Sequence, residues 1–407
     1  MGDWQRRSVL TTGVALSASG LLASVGAAET RSGSSDEKHG SWSSYGGNAG
    51  NTRYVSTADG FEKPDRIDWQ YEKTGSIVAD GDTVYLRTEG GIHAVDAATG
   101  TRRWVCEGIQ ARGTPTIGED AVYVAGDQLT AIDADSGEVR WREHLGEDAS
   151  TSEPVAAFDS VYLTVDGTLY AVAAADGSCR WTHETVTALR DSKIDPDGPA
   201  SVSYTFSTRP GSVAAVAGSV WALLDGRRSE KPLDTDAVAA FEPHSAERLR
   251  TSRFEAGDFG EGLSATERTL FVDHSAEEGV LSTGREATER SRLTSDALTT
   301  AAVGETIVTR GRYALGSTSP ESTWKKEGTH SYGPPAIVDD TVVAVRSHPG
   351  SSSPDEVVGS CLDDGTEEWT FTFDETQWND GFNEECVVTE NRVYVTRDNG
   401  LTALCPA

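Results

Sequence analysis

Two features of the sequence predict an all-β protein, an eight-bladed β-propeller of four-stranded antiparallel blades. The first is a turn motif that occurs three times and is followed each time by a tryptophan, at Trp104, Trp141 and Trp181, with spacings of 37 and 40 residues. The second is a blade pattern divided between the two ends of the chain. A repeat of this length is typical of radially repeated proteins, because each unit buries its hydrophobic face only against its neighbours.

The first repeat shows how these residues specify strands and turns. Residues 83–86 are a β-branched and aromatic run, Gly90 and Gly91 form a turn, and residues 92–95 are a second short run. In the next turn, 96–100, an Asp carboxylate can accept a hydrogen bond from a nearby amide, and Gly can adopt the positive φ that closes the hairpin. The third strand leads to Trp104, whose indole is predicted to pack between blades.

The repeat continues more weakly beyond Trp181. Inner-strand patterns recur at 219–223 and 239–242, and Phe254 lies near the position expected for the outer aromatic residue. Eight outer strands predict eight blades, and the weak pattern between 254 and 324 leaves seven as the alternative. The outer strands are expected near residues 69, 104, 141, 181, 254, 290, 324 and 369.

The two ends of the chain are predicted to complete one blade between them. Residues 391–395 and 400–404 are typical inner strands with no outer strand after them. Residues 68–71 are typical of an outer strand with no inner strands before it. Pairing of these segments would close the ring and remove the free sheet edges that template aggregation.

The repeat resembles that of a known family. The pattern Ala-x-Asp-x-x-Thr-Gly-x-x-x-Trp, from Ala94 to Trp104, is similar to the repeat of the pyrroloquinoline quinone (PQQ)-like propellers. That superfamily contains quinoprotein dehydrogenases and also non-enzymatic members such as the bacterial outer-membrane assembly lipoprotein. The resemblance covers residues 42–407, most strongly in the first three repeats, and it implies a fold rather than a reaction.

Charge is the second informative property of the chain. Acidic residues outnumber basic ones by 65 to 35, and only seven of the basic residues are Lys. A carboxylate surplus spread through the repeats is typical of a protein kept soluble in concentrated salt, where self-repulsion is screened. We therefore expect a halophilic source and, with the repeat, a haloarchaeal type of propeller. The composition excludes nucleic acid as a partner, because no basic stripe could neutralise phosphates.

The N-terminus is predicted to direct export. Arg6 and Arg7 precede an apolar stretch that ends in small residues, which is typical of a twin-arginine signal peptide at 1–28. Its Ser, Thr and Gly content makes it a poor transmembrane span, the alternative. Residues 29–41 are predicted to be a flexible linker and 42–407 the propeller. We expect an extracellular or cell-surface protein, a monomer without a membrane span after signal cleavage.

No catalytic, metal-binding or cofactor-binding residue is predicted from the sequence. The histidines and cysteines lack the spacing of a zinc site, and the faint calcium-loop pattern of Asp191, Asp195 and Asp197 is better explained as a solvated loop. The family resemblance implies an alternative function, a PQQ- and calcium-dependent alcohol or sugar dehydrogenase, many of which carry a disulfide between adjacent cysteines. The five cysteines here are scattered, and we expect no bridge between Cys361 and Cys405.

Long insertions are predicted to share one face of the propeller. When the strands of a blade are labelled A to D, the B–C hairpins and D–A connections lie at one face, and the A–B and C–D turns at the other. The segments 183–210, 225–235, 347–356 and 374–385 all belong to the first face. Because loops on a rigid scaffold usually carry binding, we expect this face to engage an unknown protein or cell-surface ligand. The predicted anchors, which alternatively only hold their own loops, are Tyr204, Phe206, Trp378 and Phe382.

Overall fold

The computed structural model describes residues 40–189, 201–227, 235–254, 260–274, 280–284, 290–294, 299–311, 313–348, 353–374, 386–397 and 400–407. The predicted signal peptide at 1–28 and most of the predicted linker at 29–41 lie outside these residues. Backbone hydrogen bonds begin at Gly40, whose amide donates to the carbonyl of Ser56 at 2.9 Å.

The described residues form β-strands joined by turns and irregular segments, and no helix occurs among them. The strands of the first half are β1 (Tyr54–Val55), β2 (Arg66–Tyr71), β3 (Ser76–Asp80), β4 (Thr83–Thr88), β5 (Gly91–Asp96), β6 (Arg102–Glu107), β7 (Ala111–Ile117), β8 (Ala121–Gly126), β9 (Gln128–Asp133), β10 (Val139–His144), β11 (Val155–Ala157), β12 (Ser160–Val165), β13 (Thr168–Ala173), β14 (Cys179–His183), β15 (Val186–Leu189), β16 (Ser201–Phe206), β17 (Val213–Val216) and β18 (Ser219–Asp225). The strands of the second half are β19 (Ala237–Phe241), β20 (Arg248–Arg253), β21 (Gly260–Ala265), β22 (Thr269–His274), β23 (Val280–Gly284), β24 (Arg290–Thr294), β25 (Thr299–Val303), β26 (Thr306–Arg310), β27 (Ala314–Thr318), β28 (Thr323–Glu327), β29 (Ser331–Tyr332), β30 (Ala336–Val338), β31 (Thr341–Ser347), β32 (Glu356–Cys361), β33 (Glu367–Thr372), β34 (Cys386–Val388), β35 (Val393–Arg397) and β36 (Gly400–Cys405).

Within the described part of the chain these strands pair into eight sheets. Sheets I to III consist of β3–β6, β7–β10 and β11–β14, sheet IV of β15–β20, sheet V of β21–β24, sheet VI of β25–β28, sheet VII of β1 with β29–β33, and sheet VIII of β2 with β34–β36. The prediction of an all-β fold built from four-stranded antiparallel units is confirmed, although sheets IV and VII each have six strands. Strand A of sheets I to VIII is β3, β7, β11, β17, β21, β25, β30 and β34. Each A strand contacts the A strand of the next sheet, and β34 contacts β3.

Sheet VIII contains strands from both ends of the chain. Strand β2 pairs antiparallel with β36, and Trp69 lies opposite Ala403. The Trp69 ring packs on Tyr394 of β35 with ring centroids 5.9 Å apart. Strand β2 is therefore the outer strand D of a sheet whose inner strands are the last three of the chain, which is the pairing that the sequence pattern predicts.

Tryptophans of the outer strands join five of the eight sheets described to the sheet that follows. The Trp104 indole N–H donates to the carbonyl of Ala134 at 2.9 Å, and the Trp141 indole donates to that of Ala174 at 3.0 Å. Each accepting carbonyl lies in the C–D turn of the following sheet. The other indoles that bond in this way are Trp69 to Ala97, Trp181 to Pro243 and Trp324 to Leu362. The turn motif and the tryptophan are thus the two halves of one contact between sheets.

The aspartate of the turn motif organises its own hairpin. Asp96 Oδ1 accepts hydrogen bonds from the amides of Ala98 at 3.2 Å and Thr99 at 2.9 Å. Its Oδ2 accepts from the Arg103 guanidinium at 2.7 Å, and Arg103 also reaches Asp82 in the A–B turn at 3.1 Å. The Arg103 guanidinium, followed by the Thr99 hydroxyl, lowers the pKa of Asp96 to about 2. The corresponding residues of sheet II are Asp133, Ser136, Arg140 and Asp120.

Sheet IV departs from the predicted pattern at its outer aromatic residue. Arg250 lies opposite Ala240, beside a β-bulge, in the place that Trp104 occupies opposite Ala94 in sheet I. Phe254 follows the end of β20, and its ring is buried in a core cluster shared with sheet V. Phe254 therefore lies four residues beyond the outer aromatic position. The bulge and the pairing offset are the same in sheets I and IV, but the position carries Arg250, and Phe254 is the next aromatic residue along the chain.

We expect Gly137→Ala to destabilise the fold more than Gly81→Ala. Both glycines have positive φ, +75° and +56°, but a Cβ at Gly137 would lie 2.6 Å from the Trp104 ring, whereas a Cβ at Gly81 meets nothing within 4 Å. The left-handed backbone costs both variants about 1 kcal/mol, and overpacking raises the loss at Gly137 to about 3 kcal/mol. Guanidinium chloride unfolding measures both losses, and equal losses would contradict this contact.

Candidate functional site

The connections between strands differ in length at the two ends of the sheets. The A–B and C–D turns are short, for example 81–82 and 97–101 in sheet I. The longer connections are B–C loops or D–A connections, which lie at the same end of an up-and-down sheet. We call this the long-loop end and the opposite one the tight-turn end. The long connections of the long-loop end are 184–212, 226–236, 348–355 and 373–385, parts of which lie outside the described residues.

Two of the predicted anchors lie in a hairpin within the first of these connections. Strands β15 and β16 pair with each other, and the end of β16 continues onto β18 of sheet IV. The side chains of Tyr204 and Phe206 are both 0% exposed. The Tyr204 hydroxyl accepts a hydrogen bond from Arg253 Nε at 2.7 Å, and the Phe206 ring packs on Phe241 at 6.0 Å. These rings face the core instead of a partner, and they hold the hairpin on the sheet.

The other two predicted anchors, Trp378 and Phe382, lie outside the described residues, and their role in binding stays a prediction. The same holds for the candidate calcium loop of Asp191, Asp195 and Asp197. All five cysteines are described and none is in a disulfide.

A buried carboxylate holds the base of the B–C loop of sheet IV and the start of sheet V, and no sequence pattern marks it. Asp236 is 0% exposed, and its Oδ1 accepts a hydrogen bond from the Gly226 amide at 2.8 Å. Its Oδ2 accepts from the Gly260 amide at 3.0 Å. Gly226 begins the B–C loop of sheet IV and Gly260 begins sheet V, so one side chain positions both connections. Arg209 extends the cluster, lying 3.8 Å from Asp236 Oδ2 and 3.4 Å from Glu261 Oε2.

A second acid lies at the end of β22, close to this cluster. The Thr300 hydroxyl donates to Asp273 Oδ2 at 3.3 Å, while Oδ1 is buried without a hydrogen-bond partner.

Burial raises the pKa of Asp236 to about 7, and the Asp225 carboxyl adds to the increase. Burial also raises the pKa of Asp273 to about 7, with a smaller contribution from Glu261.

Sheet VII has a charged cluster at the base of its own B–C loop. Glu356 Oε2 accepts from Arg346 Nε at 2.7 Å and lies 3.2 Å from His348 Nε2. The His330 ring contacts His348 with centroids 5.7 Å apart, and its Nε2 lies 3.2 Å from the Tyr332 hydroxyl. Burial, followed by the charges of Arg346 and His348, lowers the pKa of His330. These groups bond across the two ends of the loop and hold them together.

These clusters hold loop ends and neighbouring strands in place. Asp236 is engaged with two backbone amides and Glu356 with Arg346 and His348, whereas Asp273 accepts a hydrogen bond from the Thr300 hydroxyl. The alternative cofactor, PQQ with calcium, needs several oxygen ligands around the metal. Within the described stretches no three His, Cys, Asp or Glu side chains converge so as to hold a metal ion. No helix long and apolar enough to cross a membrane occurs in the same stretches.

Comparison with protein families gives one match over more than half of the chain. The family model described as "Outer membrane protein assembly factor BamB" matches residues 42–281. A shorter region of 128 residues is 33% identical to the serine/threonine-protein kinase AfsK of Streptomyces griseus. That match covers 28% of this chain and 16% of the kinase, so the chain spans only a small part of that relative.

Solved structures with the same fold include two alcohol-oxidising dehydrogenases by name and a BamB protein. The quinohemoprotein alcohol dehydrogenase of Comamonas testosteroni is 12% identical with a TM-score of 0.60, covering 89% of this chain and 80% of that one. A europium-containing methanol dehydrogenase is 10% identical with a TM-score of 0.61, covering 88% and 89%. BamB from Moraxella catarrhalis is 14% identical with a TM-score of 0.57, covering 84% and 96%. At these identities the likeness shows the fold alone.

We expect the free energy of unfolding to fall as the pH rises, because the buried Asp236 side chain loses a proton. Its native pKa of about 7 lies above its ordinary 3.8, so the native state holds a proton that the unfolded state releases. The resulting stabilisation is complete below the ordinary pKa and is lost as the pH rises through the native one. Asp236→Asn cannot titrate, so the difference in free energy of unfolding between the variant and the wild type should change in favour of the variant by roughly 4 kcal/mol across that range.

Denaturant unfolding at several pH values measures this difference. Asp273 titrates in both proteins and cancels, and the hydrogen bond that Asn loses shifts the whole curve without changing its slope. Parallel stability curves for the two proteins would contradict the raised pKa.

Proposed function

The chain belongs to the family of the outer membrane protein assembly factor BamB, with its PQQ-like propeller repeat, and we propose that it is an exported, non-enzymatic scaffold that binds a protein or another ligand at the cell surface. The observation that carries the proposal is the segregation of long loops to one end of the sheets, on bases held by buried polar contacts. Loops that vary at their tips while their bases are fixed are the usual way in which a rigid β-scaffold presents a binding surface.

We further propose that the scaffold is a closed ring of eight blades. The pairing of β2 with β36 and the contact of β34 with β3 support closure. The tryptophan of sheet VIII, Trp69, bonds to the turn of sheet I in the same way as Trp104 bonds to that of sheet II. A ring closed in this way gathers the inner edges of the sheets, their A strands, around the centre. The outer strands are then the edges that face outward, and this arrangement limits edge-to-edge aggregation.

Export and a surface location are part of the proposal. The twin-arginine pattern at Arg6 and Arg7 supports export by that pathway, and the printed name of the matched family refers to an outer-membrane protein assembly factor. The acidic composition supports a monomer that is soluble at high salt.

We expect replacement of the predicted anchors Trp378 and Phe382 to reduce partner capture strongly. The Trp378→Ala/Phe382→Ala double variant should lose at least about tenfold of the captured partner, since aromatic residues supply most of the binding energy at interfaces. Leu249→Ala is the matched control, because Leu249 is a large apolar side chain, 51% exposed, on the outer strand of sheet IV. Capture from the native host in high-salt buffer, followed by mass spectrometry, measures the loss.

An unchanged set of partners in the double variant would contradict the anchor role of these residues. A set that is equally reduced in the Leu249→Ala control would contradict the assignment of binding to the long-loop end.

The alternative function, a PQQ- and calcium-dependent alcohol or sugar dehydrogenase, has a direct test. We expect no substrate-dependent reduction of a dye after reconstitution of the purified protein with PQQ and calcium, because the described residues bring no three His, Cys, Asp or Glu side chains together around a metal position. A known quinoprotein dehydrogenase treated in parallel serves as the positive control. Turnover above that of free PQQ with calcium would overturn the scaffold proposal.

A further inference from the structure

Residues 40–57, which we call the central segment, are bonded to the A strands or adjoining A–B turns of seven of the eight sheets described. Each of these sheets exchanges at least one backbone hydrogen bond with the segment, all between 2.7 and 3.1 Å. The amides that donate to it are Ala79 to Trp42, Ile117 to Ser43, Ala215 to Ala49, Ala265 to Gly50, Ala302 to Thr52, Ile337 to Arg53 and Glu390 to Gly40.

Six of the seven donors occupy the same position in their sheets. Each is the A-strand residue that pairs with the B-strand residue five positions later, as Ala79 pairs with Val84. The equivalent pairs are Ile117 with Val122, Ala215 with Val220, Ala265 with Leu270, Ala302 with Ile307, and Ile337 with Val342. Strand A is the inner edge of its sheet, and an edge presents N–H groups that no strand of the same sheet can satisfy. In six sheets, the carbonyls of this one short segment accept hydrogen bonds from the edge N–H groups at the same position of strand A.

The backbone contacts of the central segment lie at the tight-turn end, while Tyr45 and Asn51 reach Gly211 and Val213 at the end of the connection 184–212. Each of the six donors stands directly before the A–B turn of its sheet or within one residue of it, as Ala79 stands before the turn 81–82. The surface that the segment covers is therefore distinct from the one proposed above for partner binding.

The segment is held by side chains as well as by its carbonyls. Trp42 is fully buried, and the Arg53 guanidinium lies 4.8 Å above its ring and donates to the carbonyl of Pro335 at 2.7 Å. Asn51 Nδ2 donates to the carbonyl of Val213 at 2.6 Å. Trp42 and Arg53 therefore stack on each other, and Asn51 bonds to sheet IV, so side chains as well as backbone hold the segment in place.

The sequence of the segment suits this compact shape. The Arg53 amide donates to the carbonyl of Gly46 at 2.7 Å, and the Ser43 amide to that of Gly47 at 2.7 Å. Asn48 Oδ1 accepts from the Gly50 amide at 3.0 Å. A Cβ at Gly50 would lie 2.3 Å from the carbonyl oxygen of Ala265, so only glycine permits this approach. The segment is therefore a shaped ligand and not merely a strand extension.

We propose that the inner sheet edges at the tight-turn end form a peptide-binding site, which this chain fills with its own residues 40–57. The class of ligand is a glycine- and asparagine-rich peptide that offers turn carbonyls to the edge amides, with a tryptophan and an arginine as anchors. The mode is a variant of strand addition, in which main-chain bonds give affinity and side-chain pockets give specificity.

The join between the segment and strand β2 allows a test on the complete chain. Residues 58–60 are exposed, so a protease site can be inserted there, with Gly60 kept because its φ is +89°. The folded protein is cleaved there and incubated with a fluorescent synthetic peptide of residues 40–57. Peptide uptake is followed by anisotropy, and the fold of the remainder by far-ultraviolet circular dichroism.

We expect the cleaved protein to take up the labelled peptide while its circular dichroism is unchanged. A peptide with Trp42→Ala should bind roughly 100-fold more weakly, because a buried indole is lost, and a scrambled peptide of the same composition should not bind. Failure of the cleaved protein to take up the peptide, or equal uptake of the scrambled one, would overturn the proposal. Neither result bears on partner capture by the long-loop end.

Discussion

The contact between an outer-strand tryptophan and the turn of the next sheet is the interaction on which the rest of this architecture depends. A four-stranded sheet cannot bury both faces by itself, and the indole of Trp104 both fills the gap to sheet II and bonds to the carbonyl of Ala134. Gly137, with φ at +75°, leaves room for the ring. An indole of this kind buries about 200 Å². The aspartate of the same turn holds the loop in the shape that receives it.

Sheets that lack this contact depend on other packing. In sheet IV the tryptophan position holds Arg250, and Phe254 and Trp221 fill the boundary with sheet V instead. In sheet VII the Trp369 ring packs on Phe61 at 6.1 Å, within the connection that leads to β2. At the boundary of sheets IV and V, where the repeat in the sequence weakens, different residues join the two sheets, and both sheets are kept.

The two ends of the sheets have different roles in the molecule. At the tight-turn end, short turns stabilised by aspartates surround the central segment, whose contacts join residues as far apart in sequence as Arg53 and Pro335. At the long-loop end, Asp236 and Glu356 fix the bases of loops that have room to vary. A fixed end and a variable end on one scaffold are consistent with binding as the use of the fold.

The sequence by itself determined the features that are local and repeated. The strand-turn-strand pattern around Asp96, the outer tryptophans and the pairing partners of the chain ends could all be predicted, because each needs only residues close in sequence or a pattern that recurs. The elaborated end was predicted for the same reason, since loop length is read directly from the spacing of strands. Only the tertiary structure decided which side chains are buried and which carboxylates meet distant amides. Tyr204 is a typical anchor residue by type but lies in the core, because β16 continues onto β18. Asp236 carries no sequence signal, since Gly226 and Gly260 approach it only when sheets IV and V pack side by side.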